Sequence, residues 1–495
     1  MIMNNDVKKC SYSIRDFKLF GGDSVLNDRV SRSDGFIFRF MEEILYISFV
    51  VLGIYLAFLF RFGMKPAEYN IRPFFDSIPY IIIVSIVIFH IYDIVSTAKK
   101  STFENVLIIF ISLILIDIVT IAIVFFNRGF AFPRSVFLLG FLIQFLLIFI
   151  AKIIILKVIK TKVNSKNIII IAPKEEAEFV AKKILLNKYR FDRIKYISEE
   201  INENTYGLIK QVDKVYVGST VCNEDKLKII RHCSENNKIV YLIPSLFEIS
   251  LVNFKISQVS DLLVFKLDDL GLSYEQRFLK RLMDIFISLV GLSVTFPILI
   301  IVALIIKLYD KGPILFKQER VTENNEIFKL YKFRTMIIDA EKHSGPVLAT
   351  EKDPRITPLG KILRTSRIDE LPQLINVLKG DMSIVGPRPE RPFFVEKFNT
   401  EFDEFKYRVY VKAGITGLAQ ILGNYTTDPK TKAQYDILYI KNYSIFLDIK
   451  IIFNTIKIMF LKDSSEGTKK EKDLDELIDD LGLSIYKELG ITKIE

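Results

Sequence analysis

The chain has 495 residues, a formal net charge of +10 and a hydrophobic fraction of 50%. This length allows two or three domains, and so high an apolar fraction indicates membrane segments rather than a wholly soluble protein. The three cysteines and three histidines are scattered, which argues against a disulfide framework and a His-rich metal site. No zinc finger or aromatic RNA-binding signature accompanies the basic charge, so we expect no nucleic acid partner.

The N-terminal third is predicted to lie in a membrane. Residues 1–37 are polar and basic, with no evident fold and no cleavable signal peptide. Four apolar stretches follow, at about 40–62, 78–95, 106–126 and 136–156. Each is close to the ~20 residues that a helix needs to cross a bilayer. We therefore expect an N-terminal cytoplasmic segment at 1–37 and four transmembrane helices at 38–160.

Basic residues favour one orientation of this bundle. Lys99 and Lys100 follow the second apolar stretch, and further lysines follow the fourth. Because cytoplasmic loops carry an excess of lysine and arginine, these loops are predicted to be cytoplasmic. The opposite loops also hold basic residues, so the charge asymmetry is moderate.

Between residues 164 and 268 the composition becomes that of a soluble domain. Buried-strand patterns at Ile168–Ile171, Lys214–Val217 and Val240–Ile243 alternate with helical patterns, which predicts a small parallel α/β sheet. The turn after the first strand, residues 172–177, reads Ala-Pro-Lys-Glu-Glu-Ala and contains no glycine. A dinucleotide pyrophosphate would find no cradle there, and the two acids would repel it. We expect this domain to be structural or regulatory.

Residues 282–307 are predicted to form a re-entrant membrane hairpin. An apolar run extends from Ile285 to Ile306, Pro297 interrupts it shortly after Ser293, and basic residues flank both ends. The positive-inside rule disfavours basic residues at both ends of a spanning helix. A broken helix that enters and leaves at the same membrane face satisfies both ends. The alternative is an ordinary kinked fifth span, because proline is tolerated in membrane helices.

Residues 364–390 are the most informative stretch. Asp369 and Glu370 are adjacent, Pro372 follows them, and a helical pattern continues to Gly380, which suits a C-cap. Proline is tolerated in the first turn of a helix, so we expect the helix to begin at about Asp369. Paired acids at a helix N-terminus with several nearby arginines suit a magnesium-bound phosphate ester. A lone Asp-Glu-Leu-Pro would instead suggest an N-cap beside solvated arginines.

Further unusual motifs surround the acid pair. They are Tyr331–Met336, Asp353–Thr357, Gly386–Pro389 and Gly414–Gln420. At these residues, from about Lys280 to Leu461, the chain resembles the bacterial sugar transferases, monotopic phosphoglycosyl transferases that load a polyprenyl phosphate. Two positions depart from the usual pattern, because Thr322 replaces a glycine and Ala413 replaces a proline.

The resemblance implies a fold and a location. It implies a catalytic sugar transferase domain at 274–462 that is α/β in character and includes the re-entrant hairpin. It also implies a Rossmann-like middle domain at 164–268 and a bacterial inner membrane location with the catalytic domain on the cytoplasmic face. The charged tail at 463–495 has no assigned role.

The resemblance also implies a reaction. Sugar 1-phosphate passes from a nucleotide sugar, with uracil as the expected base, to undecaprenyl phosphate, the first membrane step of exopolysaccharide, capsule or O-antigen synthesis. By the resemblance, Asp369 is the covalent nucleophile, and Glu370 holds Mg²⁺ with Asp369 beside it. The phosphates are expected to bind the basic side chains Lys332, Arg334, Arg364 and Arg388. The sugar is not readable from the sequence, and a homodimer is left open.

Two other functions are weighed against this reading. A membrane-attached sugar-nucleotide dehydratase or epimerase also pairs four spans with a Rossmann domain, but it needs the glycine-rich turn that is missing here. An inactive membrane scaffold with a degenerate transferase domain would have lost Asp369 or Glu370, and both are present.

Overall fold

The computed structural model describes residues 32–64, 66–95, 100–126, 133–162, 165–186, 192–252, 255–259, 262–266, 270–338, 340, 353–423, 427–460, 473–488 and 490–494. The predicted cytoplasmic segment up to residue 31 and the start of the tail, residues 463–472, lie outside the described residues. The chain divides into two compact units, Met1–Asn164 and Ser165–Glu495.

The first unit contains four long helices in its described residues. They are α1 (Arg32–Phe62), α2 (Glu68–Tyr92), α3 (Thr102–Phe126) and α4 (Arg134–Lys162). Each is long and apolar enough to cross a membrane, which confirms the four predicted apolar helices. The second helix begins at Glu68, well before the predicted start at residue 78, because hydropathy marks only the most apolar part of a helix.

A buried polar cluster joins α1 to α4. The Lys152 ammonium lies 2.8 Å from the Glu42 carboxylate and donates to the Ile94 carbonyl at 2.7 Å. The Tyr46 hydroxyl donates to the same carboxylate at 2.6 Å. An unpaired charge is costly among apolar helices, so these contacts specify how the two helices pair.

The second unit opens with a parallel sheet. Its strands are β1 (Lys166–Ile171), β2 (Asp192–Ser198), β3 (Lys214–Val217) and β4 (Ile239–Leu242), in the spatial order β2-β1-β3-β4. The helices that follow these strands are α5 (Lys174–Leu185), α6 (Glu203–Lys210), α7 (Asn223–Glu235) and α8 (Leu246–Ser250). The strand pairs β1–β2, β1–β3 and β3–β4 are all parallel. This arrangement agrees with the predicted α/β sheet, while the finer Rossmann-like assignment stays a prediction.

The C-terminal residues extend this sheet. After α16 (Leu474–Asp480), strands β11 (Ile485–Glu488) and β12 (Ile491–Ile494) form an antiparallel hairpin. Strand β12 pairs antiparallel with β2, so that the sheet has six strands. The buried side chains of Leu474 and Ile478 pack with Ile168 and Ile170 of β1. The tail to which the sequence assigned no role is therefore part of the middle domain's core.

A short antiparallel hairpin and one long helix connect the sheet to the rest of the unit. The hairpin consists of β5 (Lys255–Val259) and β6 (Leu262–Lys266). Helix α9 (Tyr274–Asp310) has 37 residues and continues through Pro297. It is also long and apolar enough to cross a membrane. Because α9 is one continuous helix, the structure does not confirm the hairpin predicted at 282–307.

The remaining elements surround the acid pair. The strands are β7 (Leu315–Val321), β8 (Ile327–Phe333), β9 (Ser383–Val385) and β10 (Gly414–Thr416). The helices are α10 (Pro358–Thr365), α11 (Gln373–Lys379), α12 (Pro392–Glu401), α13 (Leu418–Leu422), α14 (Pro429–Lys441) and α15 (Ile445–Met459). Strands β7 and β8 form an antiparallel pair, and the short strands β9 and β10 pair in parallel. A short 3₁₀ turn, Glu323–Asn325, lies between β7 and β8.

Candidate active site

The acid pair lies in a short 3₁₀ turn, Ile368–Glu370, directly before α11. Helix α11 begins at Gln373, later than the start expected at Asp369, and ends at Lys379, where Gly380 caps it with a φ of 94° as predicted. The reason for the later start is Pro372. Its ring has no N–H for the α-helical bond to Ile368 and would crowd that carbonyl, so the chain uses the tighter turn instead.

Glu370 collects the positive charges of the site. Its Oε1 accepts hydrogen bonds from the Lys332 ammonium and the Arg388 guanidinium, each at 2.9 Å. Arg367 lies 3.7 Å from the other carboxylate oxygen. These cations overcome the opposing effect of burial and hold the pKa of Glu370 well below its ordinary value. Glu370 is therefore ionised and paired across the physiological range.

Asp369 has the opposite electrostatic environment. Its side chain is buried, and burial, followed by the neighbouring Glu370 charge, raises its pKa to about 6. Lys332, Arg364 and Arg388 act in the other direction but do not restore the ordinary value. Two adjacent acids whose environments push their pKa values apart are typical of a catalytic pair.

Three separate segments bring the cations to the acids. Lys332 lies near the end of β8, and Arg364, in the last turn of α10, donates to the Thr335 hydroxyl at 2.9 Å. Arg388 follows β9 in the turn that Gly386 opens. A Cβ on Gly386 would lie 2.3 Å from the Lys412 carbonyl oxygen, so only glycine allows these two backbone segments to approach this closely.

A buried ion pair that the sequence analysis missed supports Arg388. The Arg408 guanidinium donates to the Asp436 carboxylate at 2.6 Å and to the backbone carbonyl of Arg388 at 2.9 Å. Both side chains are buried. Nothing near either residue in the sequence marks the contact, because Asp436 lies on α14 and the pair forms only on folding.

Three predicted residues lie away from the acid pair's contacts. Arg334 is buried with its guanidinium against Gly312, in the loop after α9. Ser293 donates to the Leu289 carbonyl at 2.8 Å within α9, and Pro297 lies inside the same helix. A phosphate-binding role for Arg334 and a membrane role for Ser293 and Pro297 stay predictions.

The two departures from the family pattern contact one another. The Ala413 backbone N–H donates to the Thr322 hydroxyl at 3.1 Å, and that hydroxyl donates to the Asp381 carbonyl at 2.9 Å. Proline at 413 would have no N–H to donate. Glycine at 322 would offer no hydroxyl. Thr322 and Ala413 therefore form a hydrogen bond that the residues expected from the resemblance, glycine and proline, would not allow.

The donor set suits a metal that shares its ligands with a substrate. Among the described residues there is no cluster of three or more histidine, cysteine, aspartate or glutamate side chains that could hold a metal. Magnesium commonly binds one or two carboxylates together with substrate phosphates. Asp369 and Glu370 supply that number of carboxylates, so the site fits a magnesium diphosphate and does not form a complete metal cage.

Comparison with known proteins is consistent with this geometry. Residues 275–462 match the family model described as bacterial sugar transferase. The exopolysaccharide production protein PSS of Rhizobium leguminosarum bv. phaseoli is 44% identical over 189 residues, which cover 36% of this chain and 93% of that protein.

Two longer relatives carry more specific names. The UDP-N-acetylgalactosamine-undecaprenyl-phosphate N-acetylgalactosaminephosphotransferase of Aeromonas hydrophila is 44% identical over 183 residues, 36% of this chain and 43% of that protein. The UDP-glucose:undecaprenyl-phosphate glucose-1-phosphate transferase of Klebsiella pneumoniae is 36% identical over 275 residues, 54% of this chain and 58% of that protein. The match thus spans about half the length of these two relatives.

Proposed function

The chain belongs to the bacterial sugar transferase family, and we propose that it transfers a sugar 1-phosphate from a nucleotide sugar to undecaprenyl phosphate. The observation that carries the proposal is the acid pair. Buried Asp369 lies beside Glu370, which Lys332 and Arg388 contact at 2.9 Å. The names of two relatives contain undecaprenyl phosphate and a UDP-sugar, which supports the same two substrates here.

In the first step, a carboxylate oxygen of Asp369 attacks the phosphorus nearest the sugar. A P–O bond to the aspartate forms, the phosphoanhydride bond breaks, and nucleoside monophosphate leaves with the bridging oxygen. Lys332 and Arg388 exchange Glu370 for the substrate's phosphates and offset the charge on the leaving group. Mg²⁺ bound by Glu370 and Asp369 would supply further charge neutralisation to the diphosphate.

In the second step, an oxygen of undecaprenyl phosphate attacks the aspartyl phosphate. The new phosphoanhydride bond joins the lipid phosphate to the sugar phosphate, and the Asp369 carboxylate is released unchanged. Arg364, whose guanidinium donates to the Thr335 hydroxyl, would contact a phosphate in either step. Both attacking groups are anions, and this is why the site needs several cations around one acid.

We also propose that α9 enters and leaves the membrane on the cytoplasmic face of the inner membrane. Contacts on both sides of Pro297 support this topology. Before the proline, Lys280 lies 2.6 Å from Asp448, and Arg281 donates to the Val377 and Leu378 carbonyls. After it, Val302 and Ile306 pack with Phe333 and Leu363. A helix that spanned the bilayer would hold its two ends on opposite sides of a ~30 Å apolar layer.

The exposed residues of α9 fit contact with lipid. Large apolar side chains along it are more than half exposed, including Phe286, Val294, Phe296 and Ile301. A soluble domain rarely leaves so continuous an apolar surface in water. The polyprenyl chain and the membrane lipids are the partners that this surface suits.

The proposal is tested with a panel of UDP-sugars. Membranes that contain the full-length protein are incubated with undecaprenyl phosphate, Mg²⁺ and UDP-glucose, UDP-galactose or their N-acetylated forms, and the release of UMP is measured. We expect release with at least one UDP-sugar, dependent on the lipid for multiple turnovers and abolished by Asp369→Asn. If neither these UDP-sugars nor sugars attached to other nucleoside diphosphates release nucleoside monophosphate above the level of that variant, the proposed transferase activity is wrong.

A further inference from the structure

The crevice at the carboxyl edge of the middle domain's sheet contains an acidic side chain of the chain itself. Strands β1 and β3 are neighbours, and their following helices pack on opposite faces. Ala177 and Val180 of α5 pack on the face of Ile168, whereas Ile229 of α7 packs on the face of Ile169. In open α/β sheets, ligands bind in the crevice where the helices that follow two neighbouring strands pack on opposite faces of the sheet.

Glu176 spans this crevice. Its side chain leaves the first turn of α5 and reaches the residues that follow β3. Oε1 accepts hydrogen bonds from the backbone N–H and the hydroxyl of Ser219, both at 2.7 Å. Oε2 accepts from the backbone N–H of Thr220 at 3.2 Å and from its hydroxyl at 2.5 Å. All four donors are directed at one carboxylate, which is how proteins recognise small oxyanions.

The surroundings of the carboxylate are shaped to admit it. A Cβ on Gly218 would lie 2.5 Å from Oε2 of Glu176 and 2.6 Å from the Ala172 Cβ, so glycine is needed for this close approach. Burial acts to raise the pKa of Glu176, yet the hydrogen bonds from Ser219 and Thr220 outweigh it and the pKa lies below its ordinary value. The carboxylate is therefore bound as an anion.

The donor segment is held in place from behind. The buried Lys226 ammonium donates to the Ser219 carbonyl at 3.1 Å and lies 2.7 Å from the Glu248 carboxylate. Glu248 in turn accepts from the Ser245 backbone N–H at 2.7 Å. These contacts do not involve Glu176, so the donors of Ser219 and Thr220 keep their positions when that carboxylate is removed.

We propose that residues 218–220 form a small-anion site that the chain fills with its own Glu176. The site takes one carboxylate-like or phosphate-like group, and Glu176 is its resident occupant. A nucleotide phosphate cannot enter the site while Glu176 is bound. Removal of this side chain converts the closed site into one that binds anions from solution.

The test is chemical rescue in the full-length protein in lipid nanodiscs. Glu176→Ala should speed amide hydrogen exchange in the peptide that covers Gly218–Cys222 by at least about tenfold, since a backbone N–H then loses a charge-assisted acceptor. Sodium acetate, formate or inorganic phosphate should slow this exchange again toward the wild-type rate. Sodium chloride at the same ionic strength should not. Wild-type exchange should not respond to any of these salts.

Matched variants separate anion binding from a general loss of packing. Glu175→Ala removes the exposed neighbour of Glu176 and should leave both exchange and anion response unchanged. Glu176→Gln keeps the size of the side chain and should speed amide exchange less than alanine does. If the alanine variant does not fold, the same exchange measurement is made on the glutamine variant. Unchanged exchange in the variants would overturn the proposal. Faster exchange that acetate, formate and phosphate fail to reverse would reduce Glu176 to a structural contact and would also overturn it.

Discussion

Glu370 and Glu176 each bridge two segments of the same unit, but their partners differ in kind. Glu370 is held by the long side chains of Lys332 and Arg388, of which Arg388 is 41% exposed. Glu176 is held by backbone N–H groups and short hydroxyls of Ser219 and Thr220. Flexible cations can turn from a carboxylate to an incoming phosphate, whereas backbone donors cannot move away. The first arrangement suits turnover and the second suits permanent occupation.

Replacement of Asp369, the proposed nucleophile, is expected to have the largest effect. Asp369→Asn keeps the size of the side chain and removes the attacking charge, so turnover should fall by roughly a thousandfold or more. Because burial opposes the charge of Asp369, the variant should unfold at the same temperature as wild type or a higher one. UMP release and thermal unfolding of the purified protein check both parts. Wild-type turnover in this variant would remove Asp369 from the chemistry.

The pH profile measures how far the two acids differ. The proposed attack requires ionised Asp369, whose pKa is raised to about 6, so kcat/KM should fall as the pH drops through about 6. The same raised pKa means that the folded state binds more protons than the unfolded state between about pH 4 and 6. This group's contribution to stability should therefore decline as the pH rises through that window.

The variant Glu370→Gln sharpens the same measurement. It removes the charge that helps to raise the pKa of Asp369. This variant should lose most of its turnover. The kcat/KM of the residual activity should fall at a lower pH than the kcat/KM of wild type does. If it falls at the same pH, Glu370 does not set the ionisation of its neighbour.

The acid site could be predicted from the sequence because its charged residues lie in short continuous motifs. Lys332, Asp369, Glu370 and Arg388 lie in short segments with unusual composition, and the structure brings three of their charged groups into contact at 2.9 Å. The start of α11 lies later than the sequence predicts, because the effect of Pro372 on the preceding turn depends on local geometry. The membrane helices followed from composition alone.

Other parts of the fold depend on contacts between distant segments. Strand β12 pairs with β2, although almost the whole sequence of the second unit separates them. Neither the composition nor the position of β12 in the sequence indicates which strand it pairs with. The sequence predicts only that Glu176 would repel a pyrophosphate. Its hydrogen bonds depend on residues 218–220, which are distant in the sequence. Long-range pairing of this kind leaves no periodic trace in the chain.

A smaller effect is expected behind the acid site, at Arg408. Arg408→Lys keeps the charge that Asp436 requires, but one ammonium cannot reproduce both contacts of the guanidinium. Loss of the hydrogen bond to the Arg388 carbonyl should lower kcat by about tenfold. Arg231→Lys is the control, because Arg231 forms an exposed pair with Glu235. Equal effects of the two changes would mean that Arg408 does not position Arg388.

The smallest effect concerns Thr322 and Ala413. Ala413→Pro removes the N–H that donates to the Thr322 hydroxyl, and Thr322→Gly removes the acceptor. Each single change should destabilise the protein, and the double variant should recover about 1 kcal/mol relative to their sum. The free energies of unfolding of wild type, the two single variants and the double variant provide this comparison. Strict additivity would show that the hydrogen bond does not stabilise the fold.

The most direct test is to trap the proposed covalent intermediate on Asp369. Wild-type protein is mixed with the UDP-sugar that it turns over and Mg²⁺, without undecaprenyl phosphate, then quenched and digested for mass spectrometry. We expect a sugar-phosphate adduct on the peptide that contains Asp369, with one UMP released per adduct. Addition of undecaprenyl phosphate should then remove the adduct and form the lipid product. A quantitative trap without an adduct, together with single-turnover product only when both substrates are present, would contradict it and favour direct transfer.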